Sequence, residues 1–346
     1  MIRVHFLAPQ IPLPSIETQA IRLHRGLCEF QPDRIQAEIT FLPPGATAET
    51  LASETAGWMP AADILVVVKH HLFENFERAS RDLVRAAREH GTLIVSHPCD
   101  GVEKGTSSGF GEFTATQSDA VLVLSTAQHE ALRRVRAAGD IYQLGHASRV
   151  EGHVARCPVG ERVENVIWEN PVHYNPVEIP DPERRKPYRE LENLIRGISE
   201  RHGARLTIVS AWYPPQPYEN WLQTLSTADI AVECKALDRT HAPAQSQKPA
   251  VKVLNYLSLG LPVVCDSLPA YRELGEDDQQ LLFADTLEEW ERQLTRLMED
   301  RALRERLSRS GYQVAQSHRI ENVCADLADI FQALVEKRAA RQATLP

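Results

Sequence analysis

The chain has 346 residues, 43% hydrophobic and 25% charged, and its 38 basic against 47 acidic side chains leave a formal net charge of −9. That length exceeds what one core usually fills, so two domains are expected, and the apolar content excludes a disordered chain. The acidity excludes a general nucleic-acid binder, which would gather a basic excess on one face.

Along the chain, short apolar runs alternate with helical patterns. Strands are expected at residues 3–8, 37–42, 64–68, 92–96, 120–124 and 141–144. The clearest helix among them spans 75–90, where Phe76, Ala79, Leu83, Ala86 and Ala87 recur at helical spacing and Gly91 ends it. Residues 1–7 lack the basic lead and long apolar run of a leader and read as the start of the first strand. Residues 147–164 carry no sustained period and read as a hinge. The alternation then restarts with strand 165–168, helix 189–202, strand 205–210, helix 219–227, strand 229–233, helix 250–259, strand 262–265, a short strand 280–283 and three helices beyond Thr286.

This order specifies parallel βαβ layers. The expected architecture is α/β, with two Rossmann-like domains at 1–155 and 163–320 and a C-terminal helix, 321–346, packing back on the first. In open sheets of this kind ligands bind beyond the carboxyl ends of the strands, and a cleft between two such units is the default site. No apolar run approaches the roughly 20 residues of a spanning helix, so a cytoplasmic protein is expected, with at most peripheral membrane contact. Cys28, Cys99, Cys157, Cys234, Cys265 and Cys324 form no CxxC pair. They are expected as buried thiols, with no disulfide and no metal site.

The strongest chemical signal runs from Gln247 through Lys248-Pro249-Ala250-Val251-Lys252. Pro249 suits the first position of a helix, where its missing N–H costs nothing. Ala250, Val251 and Lys252 would then present free amides at the positive end of the helix dipole, a ready anion site. Lys248 and Lys252 add full charges beside it, a combination suited to a diphosphate. The plainer alternative is a surface helix start with two solvated lysines.

The run Lys-Pro-x-x-Lys-x-x-x-Tyr-x-x-x-Gly-x-Pro-Val-Val over residues 248–264, followed by Ser-Leu-Pro-Ala-Tyr-Arg-Glu-Leu at 267–274, resembles the donor-binding region of GT-B glycosyltransferases, most nearly the retaining family 4-like group. Residues 228–232, the ending helices, and residues 118–125 in the first half are similar to the same group. The likeness is good over residues 229–334 and diffuse before them.

The resemblance implies a GT-B fold and an enzyme moving a sugar from a nucleotide-diphosphate sugar to a hydroxyl acceptor. The donor, of UDP or GDP type, would be a co-substrate, with no cofactor or metal besides. The acceptor would be a glycan, a lipid-linked saccharide or a small molecule, and transfer would retain the anomeric configuration. The amides at Ala250 and Val251, with Lys248 and Lys252, would hold the leaving diphosphate.

The sequence also departs from the group. Its Glu-x7-Glu positions fall on Gln247 and Asn255, whose carbonyl oxygens can still accept a ribose hydroxyl. Its Gly-rich first turn is replaced by a proline-rich loop at residues 9–15, and its basic pair after the first C-domain strand by Ile167-Trp168-Glu169-Asn170-Pro171. Asn170 is a candidate donor contact or a plain turn residue. His97, at a strand's carboxyl end, is similar to the histidine that faces the transferred sugar in the group. A buried structural histidine is the alternative. Trp212 is placed to stack on a nucleobase. His70-His71 and the Gly-rich stretch 105–111 read as a cleft edge and an acceptor-side loop. Two rival readings remain, a non-catalytic GT-B-like module that binds a nucleotide sugar or glycan and partners another transferase, and a sugar-nucleotide epimerase. No nucleic-acid partner is expected, and the sugar, base, acceptor and oligomeric state stay open.

Overall fold

The computed structural model describes residues 1–11, 13–43, 50, 53, 61–69, 76–99, 113–136, 139–169, 181–209, 217–235, 237 and 247–343. The chain divides into two compact units, Met1–Ala147 with Ile320–Pro346, and Ser148–Arg319.

The first unit is built on six parallel strands, β1 (Ile2–Pro9), β2 (Ile35–Leu42), β3 (Ile64–Val68), β4 (Leu93–His97), β5 (Ala120–Val123) and β6 (Asp140–Gln143), in the spatial order β2-β1-β3-β4-β5-β6. The central strands, buried on both faces, read as largely apolar runs, and their two-residue period divides the core. On β1, Val4, Phe6 and Ala8 pack on one side with helix α1 (Arg22–Phe30) and the last helix of the chain, while Leu7 packs on the other with Leu83, Val84 and Ala87 of α2 (Phe76–His90). Helix α3 (Thr126–Arg133) follows β5, its start capped by Ser125. The last helix belongs to this unit because Val323, Cys324, Leu327 and Phe331 bury themselves against α1. Gly26 permits that approach, since a Cβ there would stand 2.6 Å from Cys324 Sγ.

The second unit carries β7 (Asn165–Glu169), β8 (Arg205–Val209), β9 (Ile230–Glu233), β10 (Val263–Cys265) and β11 (Leu282–Phe283), all parallel, in the order β11-β10-β9-β7-β8. Helix α4 (Lys186–Arg201) precedes β8, α5 (Tyr218–Ser226) precedes β9 and α6 (Val251–Ser258) precedes β10. A short turn of helix, α7 (Pro269–Arg272), then α8 (Leu287–Glu299) and α9 (Arg301–Gln316), complete the unit, and the chain ends in α10 (Ile320–Ala343). Alternate residues of β7 again serve two cores, Val166 and Trp168 with α4 and α8, Ile167 with α5 and α6.

Gly260 ends α6 with φ +70°, the left-handed conformation of a helix C′ residue, and a Cβ there would lie 2.2 Å from Arg156 Cγ. Helix α8 starts with a full capping box between Thr286 and Glu289. Among the described residues, no helix is long and apolar enough to cross a membrane.

Candidate functional site

In the second sheet the strand order reverses between β7 and β9, the point at which a parallel α/β sheet leaves a crevice at its carboxyl edge. The sequence puts an acid at three neighbouring strand ends there. Glu169 closes β7, Glu233 closes β9, and Asp266 follows β10; they are 3%, 1% and 1% exposed. Buried carboxylates persist only with compensating partners, and each has them.

Lys252, in the first turn of α6, reaches the reversal point. Its Nζ donates to the backbone oxygen of Glu169 at 2.8 Å and lies 3.6 Å from Glu233 Oε1, so one ammonium joins the ends of β7 and β9. Lys235 Nζ lies 3.7 Å from the same Glu233 oxygen. Two contacts fix the Lys235 backbone, its N–H donating to Asp266 Oδ2 at 2.9 Å and its carbonyl accepting from the Tyr188 hydroxyl at 3.0 Å. Glu169 Oε1 accepts from the indole N–H of Trp221 at 3.2 Å, and its amide donates to the Tyr256 hydroxyl oxygen, also at 3.2 Å. Complete burial, and then the charges of Glu169 and Glu233, push the Tyr256 hydroxyl pKa well above its usual value, so that ring stays protonated.

The helix start lies one residue later than the sequence suggests. Ala250 is the N-cap, with φ −85° and ψ 15°, so Pro249 precedes the cap instead of occupying the first helical position. The first intrahelical bond runs from Leu254 N–H to the Ala250 oxygen. The first-turn amides are therefore those of Val251, Lys252 and Val253, and the N-cap residue, an alanine, has no side chain to cap them. First-turn amides, the helix dipole and Lys252 together favour an anion. Lys248 is half-buried immediately before, while Gln247 and Ala250 are buried.

Asn255 is 2% exposed, and its Oδ1 accepts from the Arg149 amide at 2.8 Å. The same segment is tied down again by the hydrogen bond from Ser258 Oγ to Ser148 Oγ at 2.7 Å and by the Arg149 guanidinium, 4.4 Å above the Trp221 ring. One lone pair of the Asn255 carbonyl is thus used in holding residues 148–150 against α5 and α6.

In the first unit, His97 ends β4 with no exposed surface. Its Nδ1 lies 3.2 Å from the Leu122 oxygen and its Nε2 lies 3.0 Å from Gln19 Oε1. Two acceptors would favour the protonated ring, but burial outweighs them and Lys69 adds to it, lowering the pKa to about 4. His97 is neutral at physiological pH. Asn170, Trp212, His70, His71 and the stretch 105–111 lie outside the described residues.

Of the candidates named from sequence, the fold thus brings Gln247, Lys248, Ala250, Val251, Lys252 and Asn255 together around one helix start, with His97 in the other unit. Glu169, Glu233 and Lys235 were not among them. The signal for the two glutamates was present, an acid ending an otherwise apolar strand, but both look like ordinary strand boundaries until the strand order is known.

The two parallel α/β units have the GT-B fold. Residues 184–329 match the family model described as glycosyl transferase-like. Among solved structures, the chain is similar to sucrose-phosphate synthase from Thermosynechococcus elongatus, with TM-score 0.67 and 10% identity over 97% of this chain and 100% of that one. It is also similar to Anabaena HepE in complex with UDP-glucose, with TM-score 0.66 and 10% identity over 96% and 100%. WaaG, a glycosyltransferase involved in lipopolysaccharide biosynthesis, aligns with TM-score 0.60 and 12% identity over 95% and 99%. At such identities the likeness is one of fold. No curated protein sequence matches the chain.

Proposed function

We propose that this protein is a glycosyltransferase that takes its sugar from a nucleotide-diphosphate sugar, of UDP or GDP type, and delivers it to a hydroxyl acceptor on a glycan, a lipid-linked saccharide or a small molecule. The observation that carries this reading is Lys252, which brings an ammonium to the strand-order reversal from the first turn of α6. A leaving diphosphate at that position meets fixed amides and a fixed charge, which stabilise it without solvent reorganisation. That arrangement supports a metal-independent reaction, and the sequence resemblance supports retention. Gln247, Lys248 and Asn255 border the same helix start, and Asn170 and Trp212 are proposed as further donor contacts. His97, buried and neutral, enters the proposal as a positioning residue that orders Gln19 and the end of β4. A cytoplasmic setting, with peripheral membrane contact when the acceptor is lipid-linked, fits this chemistry.

The test is a panel of UDP- and GDP-sugars with hydroxyl acceptors, with and without EDTA, in which released nucleotide is measured and the product anomer assigned by NMR. The expected result is acceptor-dependent nucleotide release, unchanged by EDTA, with the donor's configuration kept. One observation favours the binding-module alternative, the engagement of Asn255 Oδ1 by the Arg149 amide. Tight nucleotide binding with neither transfer nor donor hydrolysis would establish that alternative instead.

A further inference from the structure

We propose that Lys235 is a second diphosphate ligand, paired with Lys252 across Glu233 into one two-lysine clamp. This inference rests on the donor site proposed above and adds to it a residue that neither the helix start nor the sequence motif includes.

Both ammonium groups converge on a single oxygen, Glu233 Oε1, at 3.6 Å for Lys252 and 3.7 Å for Lys235. Sharing one oxygen keeps them close enough for one diphosphate to bridge. Their side chains are 21% and 10% exposed, while Glu233 is 1% exposed. The lysines therefore have what solvent access there is, and the acid lies beneath them. The Lys235 backbone is fixed at both polar groups, by Asp266 and by Tyr188, which sets the point from which its side chain reaches Glu233.

Charge decides the direction of the effect. Glu233 lies against both ammonium groups, so an arriving diphosphate is attracted by the lysines and repelled by Glu233. The acid stabilises the buried lysines in the empty protein and opposes the ligand. It sets affinity without touching the diphosphate.

Titration calorimetry on the full chain, with inorganic diphosphate and UDP as probes and uridine as the control, tests the clamp. Lys252→Met and Lys235→Met are each expected to weaken binding of both probes at least tenfold and to leave uridine binding, where measurable, unchanged. Lys235→Arg is expected to recover most of the loss, which a collapsed fold would not allow. Glu233→Gln, nearly isosteric, is expected to tighten diphosphate binding several-fold.

If Lys252→Met weakens binding and Lys235→Met does not, the clamp is overturned and the donor site stands. If neither lysine matters, the donor site itself is wrong. If Glu233→Gln weakens binding while its melting temperature is unchanged, the opposing role of the acid is overturned.

Discussion

His97 gives the most direct test of the physical account, because its ring is fully buried at the end of β4 and its pKa is held down at about 4 against an ordinary 6.5. A base with a depressed pKa binds fewer protons folded than unfolded. Stability is therefore fully present above pH 6.5 and is lost as pH falls from 6.5 to 4, below which the loss from this group stops. A shift of about 2.5 units at 1.36 kcal/mol per unit makes that loss about 3 kcal/mol. His97→Gln removes the titration and keeps an amide donor near Gln19. Urea denaturation of both proteins at pH 7.5, 5.5 and 4.5 separates the two consequences. Lost packing and hydrogen bonds offset the two stability curves at every pH, while the missing proton makes the variant's curve shallower through the window. His5, also lowered to about 4 by burial, titrates in both proteins and cancels in the comparison. Parallel curves would mean that His97 protonates freely in the folded state, and the neutral positioning role assigned to it would fall.

Three further substitutions probe the second unit. Asn255→Leu deprives the Arg149 amide of its acceptor and should cost about 1–3 kcal/mol, read by thermal unfolding, whereas Asn255→Asp, which keeps an acceptor there, should cost less. Gly260→Ala should destabilise by more than Gly203→Ala. Both glycines have positive φ, worth about 1 kcal/mol against an L-residue, but only at Gly260 does the added Cβ strike a neighbour, displacing the Arg156 side chain that donates to Ser308 Oγ at 3.0 Å. Arg304→Met removes the donors that serve the carbonyls of Leu297, Met298, Gly160 and Glu161, and a loss of about 3 kcal/mol or more is expected by chemical denaturation; an unchanged midpoint would show that these carbonyls find water instead.

The sheet was readable from sequence because burial on both faces forces each central strand into a short apolar run, and turn residues mark where such a run stops. Ile64-Leu65-Val66-Val67-Val68 is bounded as expected, and β7 and β9 differ from the reading by one residue at one end each. The start of α6 was displaced by one residue because Pro249 is equally compatible with the place before the cap, and proline alone does not say which. The lysine chemistry was half readable. Lys252 stands beside the helix start that the sequence itself marks, so local spacing points to it. Lys235 lies 17 residues earlier, and Glu169 lies 83 residues from Lys252. Only the placement of β7 beside β9 joins them, and that adjacency belongs to the strand order, which no local pattern encodes. The same argument explains why Asn255 reads in sequence as a ligand. The residue occupies the motif position, but whether its carbonyl faces a ribose or the Arg149 amide depends on a segment 106 residues away. Motif spacing therefore locates the helix around which the proposed site is built, while the partners that fix each side chain's charge and direction come from strand ends that only folding brings together.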